Sequence, residues 1–151
     1  MAGNLTLNPA VKNWDLSQFI MNFVGINIST GFDEGDVLEL EPEAETFGHR
    51  VGADGEVTRF RTNNRVNKAM FKFMQTSIAN SLFSAIANLD QNTAGGAGIG
   101  SFLFQDLQGT TIFSGQFGWI SKRPKRTFGK EPTTREWECT VVLDAEFDGS
   151  D

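Results

Sequence analysis

Arg135-Glu-Trp-Glu-Cys-Thr-Val-Val-Leu-Asp-Ala-Glu-Phe147 is the stretch that decides the fold class. Trp137, Cys139, Val141, Leu143, Ala145 and Phe147 share one parity, while Glu136, Glu138, Thr140, Val142, Asp144 and Glu146 share the other. Successive side chains of a strand point to opposite faces, so this alternation predicts one strand with a buried and a wetted side. Cys139 is the sole cysteine and lies on the apolar parity, where a thiol packs as a small hydrophobe. It leaves no partner for an intrachain disulfide and no cysteine cage for a metal.

Working back from that strand, the basic turn Lys122-Arg-Pro-Lys-Arg126 joins it to predicted strands at Thr110 to Ser121 and Ser101 to Gln105. Before these comes Asn92 to Gly100, too rich in glycine to hold regular structure. Thr76 to Leu89 is the one predicted helix, capped by Thr76 or Ser77. Ile78, Leu82, Ala85, Ile86 and Leu89 recur at three- and four-residue spacing, which predicts the face that lies on a sheet. Val66 to Met74 reads as a strand with Ala69, Phe71 and Phe73 on one face and Lys68, Met70 and Lys72 on the other.

Further upstream, Phe47 to Val51 and Glu56 to Arg61 flank Gly52-Ala-Asp-Gly55, and Asp-Gly is a strong hairpin signal. Val37 to Glu41 is a short strand stopped by Pro42, after a turn over Gly31 to Gly35. Gln18 to Ile28 has strand composition, with Gly25 as a bulge or twist point. Met1 to Leu16 reads as an N-terminal arm, leaving 17–151 as a single domain. The expected fold is mainly β. Two antiparallel sheets pack as a sandwich or barrel-like body, with the helix at about 76–89 flanking them and an extended hairpin at about 47–61.

Composition narrows the function. The 151 residues are 39% apolar and 21% charged, enough for one core without staples. A net charge of −6 argues against a protein that grips a phosphate backbone over its whole surface. The start of the chain carries no charged segment followed by a long apolar run, so the chain is expected to be made and kept in a reducing cytoplasm, or to leave it by a route other than a signal peptide.

Catalytic and cofactor patterns do not assemble. His49 is the only histidine, which excludes histidine-pair metal sites, and it lies beside the hairpin as an ordinary surface residue. No Gly-x-Ser-x-Gly elbow accompanies it. The glycines at 95–100 follow a helix and open a strand, the reverse of a dinucleotide fingerprint. Asp33, Glu34, Asp36, Glu39, Glu41, Glu43 and Glu45 form an acidic stretch without calcium-loop spacing, read as a solvated or interface run. The expectation is no catalytic residue, no cofactor and no metal.

Charge is segregated along the chain. After the acidic stretch come Arg50, Arg59, Arg61, Arg65, Lys68 and Lys72, which can meet the acids within the chain or on a neighbouring copy. The hairpin carries Phe47, Val51, Val57 and Phe60 on both arms of a tight turn, a pattern that reaches beyond its own domain.

The order of elements, the Gly52-Ala-Asp-Gly55-Glu-Val57 turn, the strand through Met74, the single helix and the final strand opening Glu136-Trp137 carry a likeness. Over roughly Gln18 to Asp148 the chain resembles the tail-tube proteins of contractile-tailed bacteriophages. The resemblance implies a structural protein of the virion tail, made in the host bacterial cytoplasm. Hexameric rings would stack into a tube that conducts the genome, with sheath, tape-measure and baseplate proteins as partners. DNA would pass without specific binding, as an acidic wall favours. By the same analogy the hairpin, through Phe47, Val51, Asp54, Val57, Arg59 and Phe60, would contact a neighbouring subunit. Glu138, Thr140, Asp144 and Glu146 are assigned to the channel wall, with solvent or the sheath as alternatives. The rival readings are a secreted tube of the type VI kind and a monomeric β-barrel whose phenylalanines line a ligand cavity.

Overall fold

The structure is a computed structural model that describes residue 14 and residues 18–32 and 35–149. The expected arm at 1–16, apart from Trp14, and Asp33 and Glu34 of the acidic stretch lie outside the described residues. The elements in order are β1 (Phe19–Phe23), β2 (Ile26–Asn27), β3 (Leu38–Pro42), β4 (Phe47–Val51), β5 (Val57–Arg61), β6 (Val66–Met74), α1 (Ile78–Asn92), β7 (Gly100–Asp106), β8 (Ile112–Lys122), β9 (Thr134–Val142) and β10 (Ala145–Phe147).

The fold is mainly β, with one helix and two antiparallel sheets. The large sheet runs β2-β1-β7-β8-β9-β6-β3, with β10 also on β8, and β4 and β5 form the second sheet by themselves. Its central ladder pairs β6 with β9 residue for residue, from Val66 opposite Val142 to Met74 opposite Thr134. The alternations in both strands predicted the apolar faces that this ladder buries: Ala69, Phe71, Phe73, Trp137, Cys139 and Val141 are all buried.

The sheet is open but strongly curled. Three strands separate β1 from β6, which in a flat sheet would set them roughly 19 Å apart, yet the rings of Phe23 and Phe71 have centroids 5.1 Å apart. The connection after β2 gives the same answer. Between Asn27 and Phe32, which bridges to Phe73 beside β6, the chain crosses from one edge of the sheet to the other. Five residues span at most about 18 Å, so the two edges nearly meet. No closed barrel forms. The trough is filled by its own side chains. Phe23, Phe71, Phe73, Phe83 and Phe102 are fully buried and contact one another edge-on or tilted, apart from the stacked pair Phe71 and Phe73.

Three local expectations are corrected. The Gln18 to Ile28 run is not one strand with a bulge: Phe23 pairs with Ile26 across Val24 and Gly25, both at positive φ, as a two-residue hairpin turn requires. The final strand divides at Leu143 and Asp144. The Asp144 backbone N–H bonds to Ser114, and its carboxylate accepts the Gln116 N–H at 3.0 Å, so the chain shifts register. Ala145 and Phe147 are therefore exposed rather than buried with Trp137. Gly115 permits the crossing, because a Cβ there would collide with the Val142 carbonyl.

The third correction is the helix. Ser77 caps it as expected, accepting the Ala79 N–H, but the buried residues are Ala79, Phe83 and Ala87. The predicted face is the outer one: Ile78, Leu82, Ala85 and Leu89 are exposed, and Ile86 is half-buried. Two contacts fix the rotation. The Phe83 ring enters a slot between Phe23, Phe71, Phe73 and Trp137, and the small Ala79 and Ala87 let the helix approach closely. Trp137 donates its Nε1–H to Asn80 Oδ1 at 3.0 Å, while Asn80 Nδ2 donates to the Met74 carbonyl at 2.8 Å. Trp137→Phe should therefore cost about 1–3 kcal/mol, because it leaves Asn80 Oδ1 without its donor. A thermal melt unchanged from the parent would contradict the bond's role.

Cys139 lies fully buried in this core. Burial, helped by the charge of Glu138, pushes its thiol well above the ordinary range. The thiolate is the reactive form, so the folded protein at pH 8 should resist a thiol reagent that labels the denatured chain within minutes.

Candidate assembly interface

The hairpin forms as expected. Phe47 lies opposite Arg61 and Val51 opposite Val57, and the turn is closed by the Gly52 N–H to Glu56 and by Asp54 Oδ1 accepting the Glu56 N–H. Gly55 has a φ of 91°, which explains glycine after Asp54. Its register puts Phe47, His49, Val51, Val57, Arg59 and Arg61 on one face, and Gly48, Arg50, Thr58 and Phe60 on the other. Arg59 stacks over the Phe47 ring at 3.7 Å, and Phe60 lies flat across Gly48.

Among the described residues these strands hydrogen-bond to no other strand. Phe47, Val51, Val57 and Phe60 remain 45%, 59%, 63% and 53% exposed. An isolated two-stranded hairpin is marginal in water unless something covers a face. Here both faces carry large apolar groups with no cover among the described residues.

The other sequence-assigned residues separate. Glu138 and Thr140 lie on the face of β9 away from the core, in a cleft of about 330 Å³ with Glu41, Glu43, Lys68 and Ser121. Asp144 and Glu146 sit beyond the break after β9 and do not join them. His49 is exposed on β4.

The segregated charges meet only in part. Lys68 pairs with Glu138 at 2.8 Å. Lys72 faces Glu39 at 3.3 Å, Asp36 at 3.5 Å and Glu136 at 4.0 Å. Burial lowers the Lys72 ammonium's proton affinity, but these carboxylates outweigh it and the net shift is upward. The hairpin arginines make no ion pair among the described residues. Intrachain neutralisation thus accounts for β6 and leaves Arg50, Arg59 and Arg61 open.

Two surface features escaped the sequence reading. One is the outward ridge of α1. The other is Phe128, 77% exposed in the β8–β9 connection, where Arg135 lies over its ring. A phenylalanine among Lys122, Arg123, Lys125, Arg126 and Lys130 was the available signal. Among the described residues there is no cluster of side chains suited to a metal ion. No described helix is long and apolar enough to cross a membrane.

An open curled sheet, one helix plugged by Phe83 and a detached hairpin can be compared as a whole with known folds. The solved structure of the cap that terminates the tube of an anti-feeding prophage superposes with a TM-score of 0.55. The match covers 93% of this chain and 95% of that one, at 7% identity. The chain shares the fold of that cap. No protein-family model and no curated protein sequence matches the chain. At that identity the likeness is one of architecture.

Proposed function

We propose that this chain is a structural subunit of a phage-tail-like tube, in which copies close into hexameric rings and the rings stack. One observation carries the reading: on a fold shared with a tube-terminating cap, the β4–β5 hairpin exposes Phe47, Val51, Val57 and Phe60 with no cover among the described residues. A second copy that covers the hairpin with a different patch makes a heterologous contact, and such contacts generate rings or open stacks. In this reading the chain performs no catalysis and holds no cofactor. It belongs to the virion tail, assembles in the host cytoplasm with sheath, tape-measure and baseplate proteins, and lets DNA pass without holding it.

A second reading has its own support, since the matched structure is a terminating cap. Negative-stain electron microscopy of the purified protein at high concentration separates the two. Tubes identify a stacking subunit, and single rings that add to tube ends identify a cap. A solution of monomers alone at every concentration would end both. A secreted tube of the type VI kind would also give tubes, and neighbouring genes distinguish it: sheath and tape-measure genes against secretion-membrane components. The ligand-barrel alternative loses its main support, because the phenylalanines fill the trough they were expected to line.

A further inference from the structure

The ladder of β6 and β9 carries opposite charge at its two ends. Each strand has nine residues, so the ends are roughly 30 Å apart. The β8–β9 connection starts alongside the ladder, with Lys122 opposite Glu138, and continues past its Met74–Thr134 end. Between 122 and 135 it holds Lys122, Arg123, Lys125, Arg126, Lys130 and Arg135 against the single acid Glu131. At the opposite end, the Glu43 N–H bonds to the Val66 carbonyl, Glu41 lies opposite Lys68, and Asp144 and Glu146 follow Val142. Arg61, Arg65 and Lys68 are also there, but the five carboxylates Glu41, Glu43, Glu45, Asp144 and Glu146 outnumber them.

Every ion pair among the described residues lies between these ends, on Lys68 and Lys72. Glu136 and Glu138 share a cleft with Lys122, Arg123 and Lys125, but neither terminal group forms an ion pair of its own among the described residues, and their separation prevents them from meeting within one chain. The basic end is also built rather than loose. The Arg123 guanidinium donates to Asn88 Oδ1 at 2.8 Å and Gln91 Oε1 at 3.1 Å on α1. Arg135 is 6% exposed and has no carboxylate partner among the described residues. It donates to the carbonyls of Thr127 and Thr134 and to Thr133 Oγ1, tying the connection to β9. Beside it opens a cleft of about 300 Å³, lined by Asn80, Ser84, Arg126 and Phe128 among others.

We propose that this basic end of the ladder, with Phe128 as its apolar anchor, docks the acidic end of a second copy, so that copies join end to end along β6 and β9. The inference rests on the assembly reading and adds to it a direction and a pair of surfaces. A second copy suits the site better than nucleic acid for two reasons. The chain as a whole is at −6 and repels a polyanion. An exposed phenylalanine within a cationic rim also matches the centre of a protein contact, and the complementary acids occupy the far end of the same strands. Because the two surfaces differ, the contact does not close on itself.

The test reverses each end in the full chain. Lys125→Glu with Arg126→Glu should raise the concentration for half-maximal stacking roughly a hundredfold, as should Glu43→Lys with Glu45→Lys, read by sedimentation velocity. Mixing the two variants should restore stacks, because each supplies the end that the other has lost. Added salt should weaken the wild-type stacks. Melting curves unchanged from wild type would show that both variants fold. A double variant that stacks like wild type overturns the proposal while leaving the assembly reading intact. So does a wild-type protein that retains DNA through Lys125 and Arg126 while stacking independently of them. A wild-type chain that never leaves the monomer removes both.

Discussion

Phe83→Ala should destabilise the protein by about 3–5 kcal/mol, the usual cost of emptying a buried aromatic site. Whole domains are held by only about 5–15 kcal/mol, so this variant should unfold at a markedly lower denaturant concentration with an unchanged slope. The size follows from its place. Phe83 is fully buried and touches Phe23, Phe71, Phe73 and Trp137, which come from both sides of the curled sheet. Its removal opens a cavity that the flanking Ala79 and Ala87 are too small to refill. Phe128→Ala is the control: at 77% exposure it should shift stability by no more than about 0.5 kcal/mol. Equal losses for the two variants would mean that the trough does not hold the core.

Val57→Asp combined with Phe60→Asp should abolish assembly and leave the fold untouched. Both side chains are more than half exposed on the detached hairpin, one on each face, and neither belongs to the buried core. Interface anchors of this kind contribute about 2 kcal/mol or more each, and losing two should raise the assembly midpoint about a thousandfold. Electron microscopy should show neither rings nor tubes, while the melting temperature stays within a few degrees of the parent. Normal rings from this variant would remove the hairpin from the interface. A collapsed melting curve would instead place Val57 and Phe60 in the subunit's own stability.

The two results separate the roles of the aromatic residues. Phe83 holds one subunit together, and Phe60 is available to join subunits, although nothing in their local sequence ranks one above the other. The same holds for charge. Lys68 and Lys72 find carboxylates on β9 and on or just before β3, whereas the arginines of the hairpin and the cations of the β8–β9 connection form no ion pair among the described residues. The unspent charge and the exposed apolar surface coincide at the hairpin and at the two ends of the ladder.

Sequence alone determined whatever depends on neighbours within a few residues. Alternation in Val66 to Met74 and in Arg135 to Val142 settled which faces are buried, and Asp54-Gly55 settled the hairpin, because side-chain period and turn conformation are local properties. Tertiary structure decided the rest. The Ile78, Leu82 and Leu89 stripe has ideal helical spacing and still faces outward, since a slot between four aromatic rings and the Trp137–Asn80 bond select Phe83 instead. The strand after Leu143 turns over because Gln116, distant in sequence, holds Asp144. Periodicity reports that a face is apolar. Which apolar face is buried depends on the shape and hydrogen-bonding groups of a partner that only the folded chain brings into contact.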